Sequence, residues 1–335
     1  MSEPILLCRT ADSLYWAGRY LERAEGLARL VAEHTALLVD LPTSVPLTWE
    51  PLLAIPGAGN GFEERYSRPD EASIMQFLLA NAETPTSLRW IVASARENLR
   101  TVRQVAPRTA WRLLNELATF VEEQAAVGWR RGRRQALLDR VLGDCQQIAG
   151  VVAGGMRRDH AYEFFSLGTQ LERADMITRV LDVRAAGLVS AAAEAERGGD
   201  RASVQLYADL QWLGVLRSVF AQHAFRRSTS EPMAADGVVR FLLLDDRYPR
   251  SVAFCLDQVA EGLARLPRSR VPADACLEVR LLLGTVASTD TWSAPVIHDV
   301  ADELQLAIGR VDGALRTTYF EPGRISDLAV AGRSA

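Results

Sequence analysis

"LERAEGLAR" at residues 21–29 and "LERADMITR" at residues 171–179 repeat one charged pattern 150 positions apart in a chain of 335. A helix advances about 100° per residue. On that wheel Gly18, Glu22, Glu25 and Arg29 share one face about 60° wide. An apolar stripe of Leu14, Ala17, Leu21, Ala24, Ala28 and Val31 runs beside it. Gly168, Glu172, Asp175 and Arg179 repeat the face. The stretch therefore predicts a long amphipathic helix in each half of the chain. Arg23 and Arg173 point elsewhere, toward a carboxylate of an adjacent helix.

Outward from these two segments, apolar residues keep helical spacing almost throughout. Helices are predicted over about 10–40, 70–82, 86–105, 108–127, 134–156, 160–190, 201–226, 236–246, 250–266, 273–289 and 295–318, with ends good to ~2–4 residues. No run alternates as a strand would, so the fold class is all-α. Residues 41–69 are rich in proline and glycine and read as a long loop; 190–200 read as a connection. A second block, "RWIVASARENLRTV" (89–102), can be laid on "RFLLLDDRYPRSV" (240–252) with one gap, which matches Arg100 to Arg250. A weaker match pairs 137–150 with 300–313. The expectation is tandem duplication: residues 1–158 and 159–320 as two similar halves of one compact unit, packed as a pseudo-twofold helical bundle, with 321–335 a flexible tail.

The duplicated face has a chemistry. Glycine inside a helix costs about 1 kcal/mol relative to alanine, so Gly18 and Gly168 imply close approach by a backbone or a ligand. An exposed i,i+4 ion pair contributes only about 0.3–0.5 kcal/mol, too little to account for its presence twice. One reading is a central cleft where Glu22, Glu25, Glu172 and Asp175 hold an ammonium and Arg29 and Arg179 a carboxylate, as a zwitterionic amino acid or peptide requires. The plain alternative is interhelical salt bridges that fix helix register. The acid spacing offers no histidine at i+3, unlike di-iron bundles, and the arginines already neutralise the acids, so no metal is assigned. Asn98 sits on the apolar face of its helix and needs a partner. Arg250 and Ser251 either serve a turn opened by Pro249 or face a ligand. "WRRGRR" (129–134) lacks a continuing basic face and reads as a solvated loop.

Composition excludes several classes. The chain has no lysine, so neither a Schiff-base lysine nor a P-loop lysine is possible. A formal charge of −4 gives no sign of a nucleic-acid or membrane surface. The four cysteines form no CxxC pair. No apolar run reaches the roughly 18 residues of a membrane span, and no signal peptide is visible. A cytoplasmic protein is expected.

"RTADSLYWAGRYLERAEGLARL", "ARENLRTVR" and "LLLDDRYPRSVAFCL" together resemble the bacterial Alpha-E family, over nearly the whole chain. The resemblance implies an all-helical protein associated with circularly permuted ATP-grasp ligases and transglutaminase-like proteins. It implies a role in peptide or amide-bond synthesis or modification, with ATP and Mg on the partner ligase and no cofactor in this chain. The family's charged motif residues match Glu22, Arg23, Glu172 and Arg173, with Asn98, Arg100 and Arg250 in neighbouring motifs. If the chain itself transfers an acyl group, Glu22 or Glu172 is the expected general base, with its pKa raised by burial or by the second acid. The alternatives are a non-catalytic scaffold and a carboxylate–metal hydrolase.

Overall fold

The computed structural model describes residues 6–40, 48–196, 201–229, 233–289 and 291–321. Among the described residues there are fourteen α-helices, a π-helical turn and no strand. In chain order they are α1 (Cys8–Asp40), α2 (Pro51–Ala54), α3 (Gly59–Glu63), α4 (Glu71–Ala80), α5 (Leu88–Thr101), α6 (Arg108–Gln124), α7 (Arg131–Gly155) and α8 (His160–Glu196). Then follow α9 (Arg201–Ser218), α10 (Gln222–Ser228), α11 (Ala235–Leu244), α12 (Val252–Arg265), α13 (Arg270–Val286), α14 (Ala294–Leu315) and the turn Arg316–Phe320. The expected loop at 41–69 contains two short helices, α2 and α3, with 41–47 outside the described residues. The expected connection at 190–200 starts later, because α8 continues to Glu196; 197–200 lie outside the described residues, as does the expected tail from 322 on.

Amphipathic spacing builds two rings of four helices. α5 buries Leu88, Ile91, Val92, Ala95 and Leu99, one face at i, i+3, i+4. α1, α5, α6 and α7 each pack on the next and close on α1; α8, α12, α13 and α14 do the same. The rings share one seam, α1 against α8. The two helices run parallel and in register there. A Cβ on Gly18 would collide with the carbonyl oxygen of Phe165, and one on Gly168 with that of Tyr15. Further along, Gly26 faces Met176, and Arg184 donates to His34 Nδ1 at 3.1 Å. Each contact joins residues about 150 apart, so the glycines are where the two backbones touch, as their retention implied.

The turns preceding α5 and α12 are built alike. Asn81 Oδ1 accepts from the backbone N–H of Glu83 and Thr84, at 2.8 and 3.0 Å. Asp245 Oδ1 accepts from those of Arg247 and Tyr248, at 2.9 and 2.7 Å. Ser87 and Ser251 are the N-caps, accepting from Trp90 and Phe254 N–H and donating to the carbonyls of Asn81 and Asp245. The register is therefore "FLLANAETPTSL" (77–88) on "FLLLDDRYPRSV" (241–252), an offset of 164. This corrects the alignment of 89–102 with 240–252: the first block is α5 and its C-cap Val102, whereas the second spans the end of α11, the turn and the start of α12. The partner of Arg250 is Thr86, not Arg100.

The helix expected over 201–226 breaks at Phe220, in the left-handed region at φ 61°. Phe220 N–H reaches Arg217 O (3.0 Å) and Ala221 N–H reaches Leu216 O (2.6 Å), closing α9 as a Schellman turn. The same pattern closes α2, there with Gly57 at φ 67°. Phe220 lies 4.5 Å from the Arg29 guanidinium.

Candidate functional site

The seam carries reciprocal ion pairs one turn beyond the glycines. Arg23 of α1 binds Glu172 of α8 with both prongs, Nε to Oε1 at 2.5 Å and Nη2 to Oε2 at 2.9 Å. Arg173 of α8 places Nε 2.8 Å from Glu22 Oε2 of α1. Arg23 and Arg173 do reach a carboxylate of the adjacent helix, but it is the repeated Glu172 or Glu22 itself, so they join the patch they were expected to point away from.

The surroundings of the two acids differ. At Glu172, Arg19 Nε adds a third contact at 2.8 Å, and Arg19 also reaches Tyr15 Oη (2.9 Å) and Asp312 Oδ1 (2.7 Å). Tyr15 donates to the same Asp312 oxygen. Glu172 is 3% exposed. Burial alone pushes its carboxyl up, but Arg19 and Arg23 outweigh it and hold it at about 2. At Glu22, Arg250 from the α11–α12 turn binds Oε1 and also donates to Glu25 Oε1 at 2.9 Å, where Arg29 Nη2 arrives at 2.6 Å. Burial pushes Glu25 up too, yet Arg250 and Arg29 leave it below the usual carboxylate value.

Beside Glu22 and Glu25 lies a cavity of about 160 Å³ between α1, α7 and α8. Phe165, Thr169 and Ala149 are on its wall, with Arg173, Gln170 and Cys145. Phe165 and Thr169 stand 150 positions after Tyr15 and Arg19, and Ala149 stands 163 before Asp312 in the match of α7 with α14. The three groups that fill the space at Glu172 are thus replaced, at Glu22, by a ring without hydroxyl, a short side chain and a methyl group.

Of the residues singled out from sequence, Glu22, Glu25 and Arg173 line this cavity; Glu172, Asp175, Arg29 and Arg179 do not. The expected single cleft holding four carboxylates and two arginines is therefore corrected to two separate clusters, because the seam glycines bring the backbones too close to leave a shared space. Asp175 pairs with Arg179 at 2.8 Å, next to Gly57. Asn98 donates to Ser94 O one turn back, and Arg100 pairs with Glu97 on the surface. Ser251 is wholly buried as the α12 cap, so it serves the turn, and Pro249 precedes the helix rather than opening it. Arg250 fits neither reading: it leaves the turn to bind Glu22 and Glu25, and it is not on the cavity wall.

Neither glutamate has the surroundings that the general-base reading called for. Each Glu22 oxygen is held by a guanidinium, and Glu172 is shifted opposite to what a base needs. Among the described residues, no group of three or more His, Cys, Asp or Glu is placed to hold a metal ion. Sequence reasoning missed Arg19, Tyr15 and Asp312. Their signal was the change from Arg19 to Thr169 between the two matching segments.

A second buried polar group closes the far end of the seam. His34 is 1% exposed; its Nδ1 accepts from Arg184, so its proton sits on Nε2 and is donated to Thr48 O at 3.0 Å. Burial and the Arg184 charge press its pKa down to about 3. No described helix is long and apolar enough to cross a membrane.

The Alpha-E family model, described as a predicted alpha-helical domain with a conserved ER motif, matches residues 6–320. Glu22-Arg23 and Glu172-Arg173 are the two Glu-Arg pairs of the seam. An uncharacterized protein of Mycobacterium bovis is 25% identical over 280 residues, covering 78% of this chain and 30% of its own length. An uncharacterized protein of Mycobacterium tuberculosis strain H37Rv is 24% identical over the same span and shares. The chain thus spans less than a third of the curated relatives it matches. No solved structure matches.

Proposed function

The chain belongs to the Alpha-E family, and on that premise we propose that it is the substrate-holding helical component of an ATP-grasp-linked system that makes or modifies peptide or amide bonds. It binds an amino-acid or peptidyl substrate at the Glu22–Glu25–Arg173 cavity and presents it to the ligase; the ligase supplies ATP, Mg and the activated acyl group. A transglutaminase-like protein is the second partner in this reading. The observation that carries it is the asymmetry of the seam: one Glu-Arg cluster is packed shut, and the other opens on a charged cavity. Clamped carboxylates suit holding a charged group in place rather than taking its proton.

The test is reconstitution with a circularly permuted ATP-grasp protein, following product by mass spectrometry. Arg173→Gln is expected to lower product formation at least tenfold while the variant still melts cooperatively. Product formation that does not depend on the chain overturns the proposal. The scaffold reading is favoured by one observation, the saturated Glu172 cluster, and accounts for that end alone. A carboxylate–metal hydrolase has no ligand set to rest on among the described residues.

A further inference from the structure

The cavity has free valences of two kinds. All three hydrogen bonds that reach Glu25, from Arg29, Arg250 and Gln146, arrive at Oε1. Among the described residues none reaches Oε2, although Glu25 lines the cavity. Arg173 has the complementary surplus. Arg23 spends two prongs on Glu172, whereas Arg250 has taken one oxygen of Glu22 and Arg173 approaches the other with Nε, at 2.8 Å. That buried Nε–H is not aligned on the oxygen it approaches, and no bond within the described residues uses the guanidinium's Nη edge. Gln170 adds a buried amide oxygen without a partner on the same wall.

Charge points the same way. Glu22 and Glu25 are paired with three arginines, Arg29, Arg173 and Arg250. Glu172, Asp175 and Asp312 are paired with three, Arg19, Arg23 and Arg179. The open cluster therefore carries one guanidinium in excess and favours a ligand bringing one carboxylate, while Glu25 Oε2 still offers an acceptor to an ammonium. Size sets the rest. A cavity of about 150 Å³ holds a benzene-sized molecule, so this one, of about 160 Å³, takes a handful of non-hydrogen atoms rather than a peptide.

We infer that the cavity is a site for one free, small α-amino acid, its carboxylate on the Nη edge of Arg173 and its ammonium on Glu25 Oε2 and Gln170. Phe165, Ala149 and Val152 give its side chain an apolar wall. The inference deepens the proposed function and rests on its substrate-binding half; it does not use the ligase partnership.

Calorimetric titration of the full chain with L-alanine, L-alaninamide, N-acetyl-L-alanine and L-alanyl-L-alanine tests it. L-Alanine is expected to bind one to one, and removal of either charge to weaken binding at least tenfold. Thr169→Arg combined with Ala149→Asp copies the filled cluster into the open one and is expected to abolish binding with the melting transition kept. If that double variant does not fold, Ala149→Phe, at an exposed rim position, blocks the same space. Equal binding of the charge-blocked analogues, or unchanged binding in the filled variants, overturns the inference. If the dipeptide binds at least tenfold more tightly than L-alanine and filling abolishes that, the free-amino-acid assignment fails while the substrate-binding reading stands. If nothing binds and filling leaves reconstituted product formation unchanged, both fail.

Discussion

At Glu172, Tyr15, Arg19 and Asp312 close in from α1 and α14 and join Arg23 around the carboxylate. At Glu22 the residues in the corresponding places are Phe165, Thr169 and Ala149, and a cavity remains. The seam ion pairs are reciprocal, Arg23 with Glu172 and Arg173 with Glu22. Their surroundings are not. The comparison separates two roles for one motif: the pairing across the seam joins the rings at both glutamates, whereas the Glu22 pair also borders a cavity. Buried ion pairs offset their own desolvation only when every oxygen is engaged. The Glu172 end meets that condition; the Glu25 end leaves Oε2 open.

The comparison is broken most strongly by Glu172→Ala. It strands Arg23 and leaves Arg19 with Asp312 as its one carboxylate partner, and unfolding in guanidinium should show a loss of about 3–5 kcal/mol. Glu25→Gln should cost clearly less in the same experiment, since an amide keeps an acceptor for Arg29 and Arg250; equal losses would mean both clusters are structural. Acid separates the ends next. His34 is neutral in the fold with its pKa near 3 against an ordinary 6.5, so the unfolded chain binds a proton that the fold does not. Stability is then complete above about 6.5 and falls by up to roughly 1.4 kcal/mol per unit as pH drops toward 3. Glu172, at about 2 against an ordinary 4.5, adds its own loss only below about 4.5. His34→Gln should flatten the melting temperature between pH 6.5 and 4.5; an unchanged slope there would contradict the assignment.

Gly18→Ala and Gly168→Ala test what the two ends share. Each puts a methyl group into the facing carbonyl, and each should destabilise by about 1–3 kcal/mol. A large effect from one and none from the other would deny the in-register seam. Smallest is the pair that the 89–102 alignment equated. Arg100 is on the surface with Glu97, so Arg100→Ala should leave melting and ligand binding unchanged, while Arg250→Ala, which frees oxygens of both Glu22 and Glu25, should impair both.

The helices and the close approach at Gly18 and Gly168 were legible in the repeat, because helical periodicity fixes which residues share a face; the aim of Arg23 and Arg173 was not, since each crosses the seam to the patch acid of the other helix. The second block was misaligned because matching arginines were given weight over turn chemistry. An Asx residue that ties down the next two or three N–H groups, then Pro and a capping Ser, is the better marker, and "NAETPTS" (81–87) against "DDRYPRS" (245–251) carries it. The separation of the acids into two clusters was not legible. It depends on Arg250, Arg19 and Asp312 arriving from distant elements, and helix-wheel angles say nothing about what packs opposite a face. The break at Phe220 was equally hidden, since a left-handed C′ position usually announces itself with glycine, as it does at Gly57.

The most direct test of the asymmetry is a crystal structure grown with millimolar L-alanine. The expected result is the amino acid beside Glu22 and Glu25, its carboxylate within about 3 Å of an Arg173 Nη atom, and Arg19 unmoved on Glu172 and Asp312. A cavity collapsed onto protein side chains, with Arg173 turned to grip Glu22 by both prongs as Arg23 grips Glu172, would contradict it.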